Sequence, residues 1–311
     1  MKAAPVLVAV LVASPLRANG FDPKTVEFAV TFQGDTSAYR DTSVFLLPGE
    51  TITFEATGGP PGDYTLSAPA GVAIQQAVRK WRFTAPARAG LYLLRLDGPA
   101  KKKDVIDLHV FVMVPANLVK NGWLNGYEIG SYPPARPGYT PPRGFVEVTK
   151  ENQDTHVSPH FTLKQFLCKE DTTKRFPKYV VVQERLLLKL EAILERVNAM
   201  GFPVDTLHVM SGYRTPFYNR AIGDVRYSMH QWGSASDIYI DTRKHDEMDD
   251  LNHDGRVDVE DAKFLYDQLE QMLSEPQYRK FEGGMGFYPA TAAHPPFVHV
   301  DVRGTRARWK G

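Results

Sequence analysis

"SMHQWGSASDIYI", residues 228–240, sets a polar turn directly ahead of an apolar run. The run "SDIYI" reads as a strand, and the segment leading into it carries an imidazole, a glycine and a carboxylate at His230, Gly233 and Asp237. Polar side chains gathered where a strand begins place a site at one edge of a sheet. Gly233 lacks the Cβ that forbids sharply curled backbone, so the loop can bend back and let His230 and Asp237 converge.

The flanking segments extend the pattern. Upstream, "TLHVMSGYR" reads as a strand running into a turn and "TPFYNRAI" as a short helix; downstream, "FVHVDV" reads as another strand. Further upstream, "YVVVQERLLLKLEAILERVNAMG" puts Leu186, Leu187, Leu190, Ile193, Leu194 and Val197 at helical spacing, with Gly201 as the stop. Helices mixed with strands indicate an α+β domain over residues 157–311.

One His and one carboxylate half-build a zinc site. Catalytic zinc takes three protein ligands, commonly imidazole nitrogen and carboxylate oxygen, and keeps a fourth position open. His299 in "FVHVD" is the best third ligand, on a predicted strand whose same face carries Phe297 and Asp301.

The first half of the chain differs in period. "VEFAVTFQ" alternates with Val26, Phe28, Val30 and Phe32 on one face, and "LLPGETITFEA" sets a Pro-Gly turn before Ile52 and Phe54. With "KWRFTAPARAGLYLLRL" and "DVIDLHVFVMV", this predicts a small all-β, immunoglobulin-like sandwich over residues 21–115, a targeting, spacing or partner-binding module, with a purely structural role as the alternative. Residues 116–156 form a connector rich in Pro, Gly and aromatics, which predicts a segment packed on its neighbours. Residues 1–20 have an early Lys, an apolar stretch and a small-x-small triplet at Ala18-Asn19-Gly20, the pattern of a cleaved export signal and too short to span a bilayer. That predicts an exported protein of the periplasm or cell envelope with no transmembrane span once the signal is removed.

Composition sets bounds. The 311 residues are 43% hydrophobic and 23% charged, enough for two folded units. A net charge of +1 gives no global field for nucleic acid. The single cysteine, Cys168, excludes an internal disulfide and reads as a small buried hydrophobe.

"SGYRTPFYN", "SMHQWGSASDI" and "FVHVDVRGTRARW" occur in that order, after an upstream "SPHFTLKQFLCK". Together they resemble the zinc D-alanyl-D-alanine peptidases and murein endopeptidases that share a fold with hedgehog signalling domains. The resemblance covers residues 157–311 and implies a catalytic zinc held by His230, Asp237 and His299, with Arg214 beside it to hold a peptide carboxylate or a developing oxyanion. Tyr213 and Ser228, in the same motifs, are the expected substrate contacts along with Arg214. The family's proton acceptor, a Glu three residues or a His two residues before the last ligand, falls here on Pro296 and Phe297. Asp301 and His294 are the remaining candidates, and Asp301 has the second possibility of orienting an imidazole.

"DLNHDGRVDVED", residues 250–261, spaces Asp250, Asn252, Asp254, Asp258 and Asp261 like an EF-hand or dockerin-type loop, with Gly255 at the sharp turn and the carbonyl of Arg256 at the seventh place. This predicts a structural calcium ion and an exiting helix. The expected function is hydrolysis of amide bonds in peptidoglycan stem peptides or cross-links, with a wall or protein partner for the sandwich. The alternative is a non-catalytic wall-binding or scaffolding protein in which zinc and calcium only stabilise the fold.

Overall fold

Alternating apolar residues in the first half pair into two sheets. The computed structural model describes residues 20–100, 104–169 and 175–311; all but Gly20 of the expected export signal lies outside them. Strands β1 (Thr25–Phe32), β2 (Asp35–Tyr39), β3 (Asp41–Leu46), β4 (Thr51–Gly58), β5 (Thr65–Ser67), β6 (Val72–Ala77), β7 (Lys80–Thr84), β8 (Gly90–Asp97) and β9 (Val105–Val112) form a five-stranded sheet, β2-β1-β4-β7-β6, and a four-stranded sheet, β3-β9-β8-β5. Phe28, Val30, Phe32, Ile52, Phe54 and Phe83 of the first sheet share one core with Val44, Leu46, Leu96, Ile106, Leu108 and Val110 of the second. All ladders are antiparallel except β3 with β9.

After β9 the chain weaves between the halves through β10 (Val114–Pro115), the hairpin β11 (Trp123–Leu124) and β12 (Tyr127–Glu128), β13 (Gly144–Val148), the pair β14 (His156–Ser158) and β15 (Phe161–Thr162), and β16 (Lys178–Val180). The second half adds α1 (Glu184–Ala199), β17 (His208–Ser211), α2 (Pro216–Ala221), β18 (Ala235–Tyr239), α3 (Val259–Ser274), β19 (Gly284–Tyr288), β20 (Phe297–Asp301) and β21 (Ala307–Lys310). Its sheet has the order β17-β18-β20-β19-β21, antiparallel except for β19 with β21. Val298 and Val300 point into one core with Leu190, Ile193 and Leu194 of α1 and Leu265 and Leu269 of α3. The alternation of β20 therefore turns His299 to the opposite face.

The halves are joined by more than a linker. Phe45 and Phe111, on strands of the four-stranded sheet, turn away from the core that the two sheets share and stack, 5.4 Å between ring centroids, inside the core of the second half. The Phe45 amide donates to Glu184 Oε1 at 3.0 Å, Arg185 Nε to Asp35 Oδ1 at 2.9 Å, and Ser43 Oγ to the Val157 carbonyl at 2.6 Å. Helix α1 is buried on several sides, which explains why Lys189 and Glu191 are sealed on it and why each has a partner. Lys189 Nζ donates to the Asp301 carbonyl at 2.8 Å, and Glu191 accepts from the backbone N–H and faces the ring of His160. No helix among the described residues is long and apolar enough to cross a membrane.

Candidate metal centre

Register brings the three expected ligands together. Asp237 on β18 lies directly opposite His299 on β20, and His230 enters from the 3-10 turn Met229–Trp232 that leads into β18. His230, Asp237 and His299 are all buried and form a candidate metal-binding group. His230 Nε2 lies 3.2 Å from Asp237 Oδ1 and 3.2 Å from His299 Nδ1, and His299 Nδ1 lies 2.9 Å from Asp237 Oδ1. Tetrahedral zinc with bonds of about 2.0–2.1 Å has ligand atoms about 3.3 Å apart, so this triangle fits one face of such a site.

Each ligand is oriented from behind. His230 Nδ1 is 2.6 Å from the Gly212 carbonyl; the ring donates there, which leaves the lone pair of Nε2 facing the cluster. Arg214 N–H in turn donates to the His230 carbonyl at 3.3 Å, so the "SGYR" turn and the "MHQW" turn hold each other. His299 Nε2 faces Asp301 Oδ2 at 3.3 Å, which leaves Nδ1 for the cluster. Arg214 donates through one terminal nitrogen to Asp237 Oδ2 at 2.5 Å, through the other to Asp224 Oδ2 at 2.7 Å, and through Nε to Ser211 Oγ at 2.8 Å. Gly233, the C-cap of the turn, has φ 62 and sits against the Val181 carbonyl, where a Cβ would come within 2.2 Å.

Electrostatics follow from this packing. Burial alone would raise the Asp237 carboxyl, but the adjoining His230, the Arg214 guanidinium and His299 hold it well below the usual carboxylate range. Burial lowers His230, and Arg214 adds to that, which favours the neutral ring a metal requires. Burial also opposes a charge on His299, yet Asp237 and Asp301 on its two sides raise it.

The cluster opens into a cavity of about 660 Å³ lined by Arg214, Asp224, Ser228, Tyr288, Phe297, Arg303 and Trp309, and by Arg136 and Tyr139 of the connector. Of the expected substrate contacts, Arg214 and Ser228 line the cavity. Tyr213 is buried beneath the site, its hydroxyl 2.9 Å from that of Tyr132. His294 does not line the cavity either; its Nδ1 faces the Pro295 carbonyl at 2.9 Å and its ring lies edge-on to Phe297. Asp301 is fully buried behind His299 and accepts from the Gly284 amide at 2.7 Å and from Arg303. Asp301 thus meets the His299 ring from behind and does not line the cavity.

Four contributors escaped the sequence reading: Arg303, which clamps Asp301; Asp224, which pairs with Arg214; and Arg136 and Tyr139. A second group, His208, Asp241 and Asp246, also has ligand atoms within reach of one another at the other end of β17, with Asp246 largely in solvent.

The loop at 250–261 winds around its own side chains. Asp250 accepts from the amides of Asp254 and Gly255, Asn252 from Asp254, Asp254 from Arg256, and Asp258 from Glu260. Buried Asp261 accepts from Leu251, Asn252 and Asp258, tying both ends of the loop to the start of α3.

Residues 159–259 match the family described as Peptidase M15. The match takes in Arg214, His230 and Asp237 and stops before His299. It supports the M15 zinc peptidases as the family this segment resembles, and a metallopeptidase of the peptidoglycan hydrolase type in general. No curated protein matches the chain.

Proposed function

We propose that this protein is an exported zinc metallopeptidase that hydrolyses an amide bond in peptidoglycan stem peptides or their cross-links. The observation that carries the reading is the triangle of His230 Nε2, Asp237 Oδ1 and His299 Nδ1, open to a cavity within a chain that matches Peptidase M15. These three residues would hold a zinc ion, which would supply Lewis-acid polarisation of the scissile carbonyl and lower the pKa of a bound water.

The other roles belong to the chain. The Gly212 carbonyl and Asp301 fix the ring orientations of His230 and His299. Arg214 keeps Asp237 ionised and has N–H donors beyond those given to Ser211, Asp224 and Asp237, with which it steadies negative charge growing on the carbonyl oxygen. Among the described residues Asp224 is the one carboxylate outside the ligand group that lines the cavity, and we assign it the proton taken from the attacking water. Each of its oxygens accepts one hydrogen bond, from Arg214 and from the Val225 amide, which leaves lone pairs available.

The calcium ion belongs to the same proposal, with Asp250, Asn252, Asp254, the Arg256 carbonyl, Asp258 and Asp261 as ligands and a structural role. The division into an immunoglobulin-like sandwich at 21–115, a connector at 116–156 and a peptidase unit at 157–311 is likewise our reading. The sandwich positions the enzyme on the wall or on a protein partner, and the shared core makes it a rigid extension of the peptidase unit.

A scaffolding protein with a structural zinc is the second reading, favoured by Pro296 and Phe297 at the family's base positions and by the placement of Phe297 in the cavity wall. Zinc content and sedimentation with purified peptidoglycan, compared for the wild type and His230→Ala, separate the two. The enzyme reading requires that His230→Ala loses zinc and turnover together. Wild type that holds zinc and sediments with the wall without cleaving it belongs to the scaffold.

A further inference from the structure

The four arginines around the cavity are not equivalent. Arg214 is neutralised by Asp224 and Asp237, and Arg303 by Asp301. Arg136 and Arg226 line the same cavity, are exposed, and have no carboxylate partner among the described residues. Both guanidinium groups lie against Tyr227. The Arg136 guanidinium lies 3.5 Å from the ring centroid of Tyr227 and 4.2 Å from that of Tyr139, while that of Arg226 lies 5.8 Å from Tyr227.

Stacking fixes the plane of a guanidinium through its face and leaves its N–H edge free to donate. The supporting rings are themselves fixed. Tyr139 meets Tyr227 and Trp232 edge-on, each at 5.2 Å, and Trp232 Nε1 donates to the Thr140 carbonyl at 3.0 Å. Two unpaired positive charges lining one cavity repel each other, and a bound anion relieves that repulsion. A planar, pre-oriented fork is suited to a carboxylate.

We propose that Arg136 of the connector and Arg226 of the turn before Ser228 form an anion subsite that holds a carboxylate of the peptide substrate. This rests on the hydrolase reading above and adds a specificity element from outside the segment that matches Peptidase M15, since Arg136 precedes residue 159. A stem peptide offers that carboxylate in two places, at its C-terminus and at the α-carboxyl of an isoglutamyl residue.

The test uses acetyl-L-Ala-D-isoglutamyl-L-Lys-D-Ala-D-Ala in three forms: the free acid, the isoglutamyl amide and the C-terminal amide. Wild type, Arg136→Met and Arg136→Met/Arg226→Met are compared as full-length proteins of equal melting temperature. One amide is expected to raise KM of the wild type by about tenfold or more, the scale of a charge-assisted contact, and the double variant to lose that preference. Which amide does so identifies the carboxylate. A wild type that treats all three forms alike, or a double variant that discriminates as the wild type does, overturns the subsite.

Should none of the forms be cleaved, the same peptides are titrated against tryptophan fluorescence, which Trp232 and Trp309 report from the cavity region. Tighter binding of the acid that vanishes in the double variant then supports the subsite while the hydrolase reading fails. Equal binding of acid and amides overturns it.

Discussion

His299 Nε2 lies 3.3 Å from Oδ2 of Asp301, two residues further along the same strand, while Nδ1 of the same ring lies 2.9 Å from Asp237 Oδ1. One imidazole thus spends one nitrogen on orientation and keeps the other for the cluster. Arg303 and the Gly284 amide hold Asp301 in turn, so the orientation is anchored well behind the cavity.

Asp301→Asn keeps the shape and loses the charge. Partners of this kind typically account for about 10–100-fold in metal affinity, and a loss on that scale is expected here. A competition titration with a chromogenic zinc chelator reads it; an affinity equal to wild type means that Asp301 does not orient His299.

Asp224→Asn is expected to lower kcat by about 10²–10⁴-fold with zinc content retained. A variant that keeps zinc and most of kcat removes Asp224 from proton transfer.

Gly233→Ala forces a left-handed residue to carry a Cβ that would lie 2.2 Å from the Val181 carbonyl oxygen. Left-handed backbone costs an L-residue roughly 1–2 kcal/mol, and backbone displacement adds to it, so a loss of about 3 kcal/mol is expected in urea unfolding. A loss under 1 kcal/mol would show that the turn ahead of β18 yields easily.

Burial at the seam between the halves pushes Glu184 up to about 7, while its Oε1 accepts the Phe45 amide. The folded state therefore binds more protons than the unfolded chain between the ordinary carboxyl range and about 7. This contribution to stability is full below the unfolded pKa and is lost as pH rises through the folded one. Glu184→Gln keeps an acceptor and removes the titration, so wild type should lose on the order of 1–3 kcal/mol relative to the variant between about pH 4.5 and 7. Parallel stability curves for the two proteins contradict the assignment.

Calcium added to chelator-treated protein is expected to raise the melting temperature, by about 2.7 kcal/mol of stability at a hundredfold excess over Kd. Asp250→Ala should abolish the response. An equal response in the variant places the ion elsewhere.

Much of this site is written locally. His230, Gly233 and Asp237 lie within one short turn and strand, and the period-2 rule alone sets Phe297, His299 and Asp301 on one face. Alternation likewise exposes the inward residues of β1, from Phe28 to Phe32. What pairing decides is hidden. The opposition of Asp237 to His299 is a register, and the demotion of Tyr213 to the interior follows from Tyr132, 81 residues upstream. Arg136 looked like connector because a stacked arginine has no periodic signature; it acquires a place only when Tyr227 and Trp232 fold beneath it. Lys189 and Glu191 lie outside the apolar set that the helical spacing picks out, and only tertiary packing on several sides of α1, with Asp301 and His160 as partners, buries them.

The most direct measurement of the central claim is digestion of purified peptidoglycan by the mature protein, with and without a zinc chelator and beside His230→Ala, with released muropeptides read by mass spectrometry. The account predicts loss of terminal D-Ala, or conversion of cross-linked dimers to monomers, only when zinc and His230 are both present. An unchanged muropeptide profile from protein that demonstrably holds zinc would contradict it.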